Sequence, residues 1–216
     1  MPRTRFEEQL KLLHTTLIQL GALCEDAINA AAKALLTGDQ ALVKKAMEAE
    51  QEIDRLESEI EALCFKLLLH QQPVASDLRE ISAALKMISD LERIGDQAAD
   101  IAELTEHINI PLDSTNLHIA DMTKAVIKMV TESIDAFVRK DIDLARKVMA
   151  DDDVVDTLFD QIKGELETMV KSDAASISGA LDLLMVVKYL ERIGDHATNV
   201  AEWVEYSITG VHPEGN

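Results

Sequence analysis

The stretch Leu91-Glu92-Arg93-Ile94-Gly95-Asp96 recurs unchanged as Leu190-Glu191-Arg192-Ile193-Gly194-Asp195. The match runs on through Ala98 and Ala197, Ala102 and Ala201, and Glu103 and Glu202. A weaker echo upstream links Met47, Glu50, Ile53, Asp54 and Leu56 to Met149, Asp152, Val155, Asp156 and Leu158. Self-similarity in fixed order marks a duplicated structural unit.

Outward from these blocks the apolar residues fall at helical spacing. Leu13, Leu17, Leu20, Cys24, Ile28, Ala31 and Leu35 form a first stripe, closed by Gly38 as a C-terminal stop with Asp39 as the next N-cap. Leu42, Ala46, Ile53, Leu56, Ile60, Leu63 and Leu67 form a second, ending before Pro73. A third begins near Ser76-Asp77 and runs past Ile101 towards Ile108. Pro111 and Asp113-Ser114-Thr115-Asn116 make the clearest boundary. The order then restarts: a fourth stripe from Ile119 to Phe137, a fifth opened by Asp141, and a sixth following Ser172-Asp173. The pattern predicts an all-α chain of six long helices in two tandem, related, antiparallel three-helix bundles, residues 1–110 and 111–216.

Composition agrees. Aromatic residues make up 3% of the 216, with eight Gly and four Pro, too few strand aromatics and turn formers for a β fold. Forty Asp and Glu against 21 Lys and Arg give a net charge of −19, which opposes nucleic-acid binding and attraction to anionic lipid. No apolar run approaches the ~18 residues of a spanning helix, so no membrane insertion is expected. The first residues turn acidic before any apolar core of a signal peptide. Cys24 and Cys64 lie inside apolar stripes and read as small buried hydrophobes of a reducing, cytoplasmic compartment.

The repeated block also carries acid. At ~100° per residue from Glu92, Asp96 lies near 40°, Asp100 near 80° and Glu103 near 20°, one continuous face. Glu50, Asp54, Glu57 and Glu61 make a comparable row on the second helix, its antiparallel neighbour. Like charges at i, i+4 cost a few tenths of a kcal/mol per pair, so bound cations, basic side chains, proton uptake or solvation must offset the convergence. Arg93 sits ~100° from Glu92 and does not cover the whole row, while Arg55 and Arg79 are the flanking bases. Four such pairs in matching places favour metal: Glu50/Asp54, Glu92/Asp96, Asp152/Asp156 and Glu191/Asp195. All-carboxylate ligation suits hard divalent or trivalent ions such as Mg, Mn, Fe or Ca, with room for more than one. Gly95 and Gly194 either let a partner backbone approach beside these acids or let the bundle pack tightly.

With its two ERIGD blocks and duplicated three-helix halves, the whole chain resembles the PhoU family of phosphate-signalling regulators. The resemblance implies a cytoplasmic homodimer binding multinuclear metal clusters on its acidic faces. It also implies a negative regulator that couples the cytoplasmic subunits of a phosphate ABC transporter to a sensor histidine kinase, peripheral to the membrane through these partners. By position it makes Glu92, Asp96, Glu191 and Asp195 the core ligands. Glu50, Asp54, Asp152 and Asp156 complete the two sites, and Asp100 extends the first. Asn199 in place of Asp100, with Phe159 and Lys163 in place of Glu57 and Glu61, leads us to expect a weaker second site. The rival class is a ferritin-like di-metal enzyme, which draws on Glu-x-x-His pairs. Here Gly194 stands at i+3 from Glu191, and Glu103/His107 has no second copy because Tyr206 replaces the histidine. Catalysis is therefore not expected. Trp203 and Tyr206 are expected at a bundle end or a dimer contact.

Overall fold

The computed structural model describes residues 3–71, 73–105, 108, 117–173 and 176–213. They form six helices and no strand among the described residues: α1 (Arg3–Thr37), α2 (Gln40–Gln71), α3 (Ala75–Leu104), α4 (Ile119–Arg139), α5 (Ile142–Ser172) and α6 (Ile177–Thr209). The segment around Pro111 and Asp113 lies outside the described residues. No described helix is long and apolar enough to cross a membrane.

The expected punctuation holds at the two tight turns. Gly38 adopts φ +68° and Lys140 φ +54°, so each first-to-second helix turn uses one left-handed residue. The aspartate that follows then caps the next helix. Asp39 Oδ1 accepts from the Ala41 amide at 2.9 Å, and Asp141 Oδ1 from the Leu144 amide at 3.0 Å. The third helix is shorter than expected. It stops at Leu104, where Thr105 caps it by donating its amide to the Ala102 and Glu103 carbonyls, and Ile108 is not helical.

All seven residues of the first stripe are buried, as are Ala46, Ile53, Leu56, Ile60 and Leu67 of the second. One continuous hydrophobic core runs through both halves instead of two separate ones. Its middle is the packing of α3 on α6. Asp90 of α3 accepts from Asn199 Nδ2 at 3.1 Å and meets His196 Nδ1 at 2.9 Å. Ten residues further along α3, Asp100 is bonded by the Tyr189 hydroxyl. Asp90 and Tyr189 are equivalent in the repeat, as are Asp100 and Asn199. The halves therefore meet about a pseudo-two-fold axis, with α3 antiparallel to α6. α1 crosses α4 in the same sense, Thr131 donating to Glu25 at 2.6 Å.

One buried carboxylate ties the halves at the edge of this interface. Glu80, 5% exposed, accepts from Lys140 Nζ and meets His14 Nε2, both at 2.7 Å. Burial pushes Glu80 up, but the His14 and Lys140 bonds outweigh it and hold the carboxyl below its ordinary value. Lys140 thus accepts a left-handed backbone, which costs an L-residue about 1–2 kcal/mol, and supplies Glu80 with a donor that glycine lacks. Lys140→Gly and Lys140→Ala should both lower the urea midpoint, with Ala worse by about 1 kcal/mol. Equal midpoints for the two variants would remove the backbone half of this account.

Candidate metal centre

The acidic faces are positioned by how closely α2 approaches α3. A Cβ built on Gly95 would lie 2.9 Å from Ile53 Cδ1 and 3.2 Å from its Cγ2. On Gly194 it would lie 3.2 Å from Val155 Cγ1 and 3.4 Å from Asp152 Oδ1. Both glycines therefore serve tight helix packing, and the side chains they admit are the buried Ile53 and Val155. Asp54 and Asp156 follow directly in sequence, and Asp96 and Asp195 follow the glycines.

In the first half this brings Glu50, Asp54 and Asp96 together, one oxygen from each lying within 4.8 Å of the others. Among the described residues no other group meets that spacing. Glu92 lines an adjoining cleft of about 390 Å³ with Asp54, Glu57, Ser58, Ser89 and Arg93. Burial, then Asp54 and Asp96, push Glu50 above its ordinary value. Burial and Asp96 raise Glu92 against the opposing Arg93. Asp100 adjoins Asp96 and Glu103 and is raised by burial and both carboxylates, while Tyr189 and Arg192 of α6 pull it back. Of the five acids expected here, three converge, Glu92 borders them, and Asp100 faces the other half.

The bases behave differently from expectation. Arg93 reaches one turn ahead to Asp96 at 2.9 Å and touches Glu92 at 3.4 Å, so it serves the α3 acids. Arg55 pairs with Glu52 and Glu59 on its own helix, and Arg79 lies against Gly210. Neither flanks the cluster. Glu57, part of the acidic row but outside the expected ligand set, lines the adjoining cleft beside Asp54 and Glu92.

In the second half Asp152, Asp156, Glu191 and Asp195 also face one another. Burial, then Asp195 and Asp156, push Asp152 up to about 6. Burial and Glu191 raise Asp195, opposed by Lys188. The competing ammonium is not Lys163, which lies along an apolar groove of α5. It is Lys188, which ion-pairs with Glu191 and occupies the place of Ser89 in the repeat. His196 turns to Asp90 at the α3–α6 interface and so supplies no Glu-x-x-His arrangement; His107 lies outside the described residues. Trp203 and Tyr206 stack edge-on at the end of α6, with His212 against Trp203. Cys24 and Cys64 are buried and free, their thiols pushed up by burial.

These donors fit a hard cation. They are oxygen-only, convergent, and held partly protonation-prone by one another, so a divalent ion would relieve repulsion that Arg93 and Lys188 relieve only in part.

Residues 17–105 and 119–204 match the PhoU domain. The chain is 37% identical over 212 residues to the phosphate-specific transport system accessory protein PhoU homolog of Clostridium acetobutylicum, covering 97% of each. The homolog of Pseudomonas aeruginosa is also 37% identical, covering 95% of this chain and 86% of that one. The crystal structure of PhoU from Pseudomonas aeruginosa superposes with TM-score 0.86 at 35% identity, over 95% of this chain and all of that one. That of the phosphate transport system regulatory protein PhoU from Streptococcus pneumoniae gives 0.88 at 26%, over 97% and 99%.

Because Asp152 titrates higher folded than its ordinary 3.8, the folded chain takes up a proton as pH falls through about 6. Its charged form opposes folding, so the metal-free protein should gain melting temperature between pH 7.5 and 5.5. Asp152→Asn should flatten that slope and raise the pH 7.5 value. A slope unchanged in Asp152→Asn would show that this group does not set it.

Proposed function

The chain belongs to the PhoU family, and on that premise we propose that it is a metal-binding negative regulator of phosphate uptake and phosphate-starvation signalling. It acts by contact with the cytoplasmic subunits of a phosphate ABC transporter and with a sensor histidine kinase, as a cytoplasmic homodimer held at the membrane through those proteins. The observation that carries the metal part is the convergence of Glu50, Asp54 and Asp96 between two helices that the core presses together. The regulatory part is carried by kinship with accessory proteins of phosphate-specific transport.

In this reading the α2 acids and the α3 acids hold the ion jointly, with Glu92 and Glu57 at its margin. A bound cation supplies counter-charge, and it does so to two helices at once, fixing the distance between the acidic rows. The second site, with Asp152, Asp156, Glu191 and Asp195, binds more weakly, because Lys188 already neutralises Glu191 and Asn199 replaces the acid at position 100. In this reading the role is binding: among the described residues the cluster that converges is made of carboxylates alone.

Magnesium or manganese should raise the melting temperature of the purified chain, and chelator should reverse the rise, since a ligand of the folded state adds RT ln(1 + [L]/Kd). At 100 times Kd the gain is about 2.7 kcal/mol. Asp96→Ala combined with Asp195→Ala should abolish most of it, and Asp96→Ala alone should remove more than Asp195→Ala alone. Undiminished stabilisation in the double variant would contradict the ligand assignment.

A further inference from the structure

Among the described residues the second half shows no counterpart to the first four turns of α1. Gly38 and Lys140, each left-handed and each followed by a capping aspartate, align α1 with α4. On that alignment α4 starts opposite Leu17 and is 14 residues shorter, a deficit of about 21 Å. In the first half α1 passes Glu80, where His14 meets it, and continues to Phe6, which is 7% exposed. At that end Cys64, Leu67 and Ile81 are almost wholly buried.

In the second half α4 begins level with Glu165, which the His118 ring meets at 2.6 Å. Beyond that point α5 continues to Ser172 and α6 begins at Ile177, with no third helix over them among the described residues. Among the described residues the result is an open groove of about 420 Å³, floored by Leu166, Val170, Ile177, Leu181 and Leu184 and edged by Lys163, Glu167 and Lys171. Leu181 is 59% and Ile177 46% exposed. Ala180 stands where the first half has Ile81, which deepens the floor.

We propose that this groove is the docking surface for an amphipathic helix of a partner protein, about four turns long, apolar on one face and acidic along its edge. The first half supplies the template, because the equivalent place there is filled by a helix with Phe6, Leu10, Leu13 and Leu17 at i, i+4, i+7 and i+11. The electrostatics select the acidic edge. On a chain of net charge −19 the rim of this groove carries two ammonium groups against one carboxylate, Glu167, a local excess of positive charge. Lys163 makes no ion pair among the described residues, and Lys171 has only the exposed Glu167 at 3.4 Å. An apolar trough with one helix missing is the arrangement that receives a helix anchored at i, i+3/i+4 and i+7. No carboxylate of either acidic cluster lines the groove, so the inference stands apart from the metal reading.

The test uses the full chain and a fluorescein-labelled peptide of its own residues 5–17, made in the natural form and with Arg5→Glu and Lys11→Glu. The acidic peptide should bind, gain helical circular dichroism on binding, and bind several-fold tighter than the natural form. Leu181→Asp, a substitution at an exposed position, should weaken it at least tenfold with the far-ultraviolet spectrum of the chain unchanged; Ile177→Asp is the second variant should that one misfold. Lys163→Glu with Lys171→Glu should reverse the preference between the peptides. Absence of binding, or binding indifferent to both groove variants, would overturn the proposal. So would a concentration-dependent dimer dispersed by Leu181→Asp, which assigns the groove to a second copy. Amide protection of the groove that is lost on replacing residues 109–116 by a Gly-Ser linker would likewise overturn it, by assigning the groove to the chain's own connector.

Discussion

The contact of Ile53 with Gly95 sets the rest of the structure. Burying a large aliphatic side chain is worth about 1.5–3 kcal/mol, and α2 and α3 bury Ile53, Leu56, Ile60, Leu91 and Ile94 between and around them. Carboxylate repulsion across one exposed pair costs only a few tenths of a kcal/mol. The core therefore wins, and the acids that flank the apolar stripe are carried together whether or not a counter-ion is present. Glycine at 95 spends roughly 1 kcal/mol of helix propensity relative to alanine to permit that approach, and Gly194 against Val155 repeats it. A carboxylate cluster of this kind needs no dedicated loop: it is the hydrophilic margin of a packed helix pair.

Duplication made two such margins, and the pseudo-two-fold axis brought the halves back to back through α3 and α6. Divergence then acted at equivalent positions. Lys188 stands where the first half has Ser89 and gives one cluster an internal cation; across the axis Asp90 pairs with Asn199 and Asp100 with Tyr189. Gly38 and Lys140 kept the same left-handed turn while only the lysine reaches Glu80. The fourth helix is 14 residues shorter than the first, and among the described residues apolar surface lies open at that end. Among the described residues the result is a shared core with two unlike acidic faces and an apolar groove.

Much of this was legible in the residues because it depends on local rules. Stripe periodicity located the six helices, and Gly38-Asp39 and Asp141 marked turns through backbone conformation and side-chain capping alone. The azimuths of Glu92 and Asp96 on their own helix, and of Glu50 and Asp54 on theirs, were fixed by helical geometry. What escaped depended on long side chains or on partners distant in sequence. Arg93 is the exception: it is an i, i+3 neighbour of Asp96, and helical geometry alone places that pair within reach. Lys163 follows the register of α5 away from the acids, whereas Lys188 enters from α6. The end of α3 at Leu104 was hidden because Ile108 continues the apolar spacing without continuing the helix. The α3–α6 pairing left a trace in the sequence, the complementary exchange at positions 90 and 189 and at 100 and 199, readable only once the axis is known.

Anomalous scattering from crystals soaked in manganese tests the central claim most directly. The account predicts a peak coordinated by oxygens of Glu50, Asp54 and Asp96, stronger than any peak among Asp152, Asp156, Glu191 and Asp195. Carboxylates splayed into solvent with no manganese between α2 and α3, or a dominant peak in the second half, would contradict it.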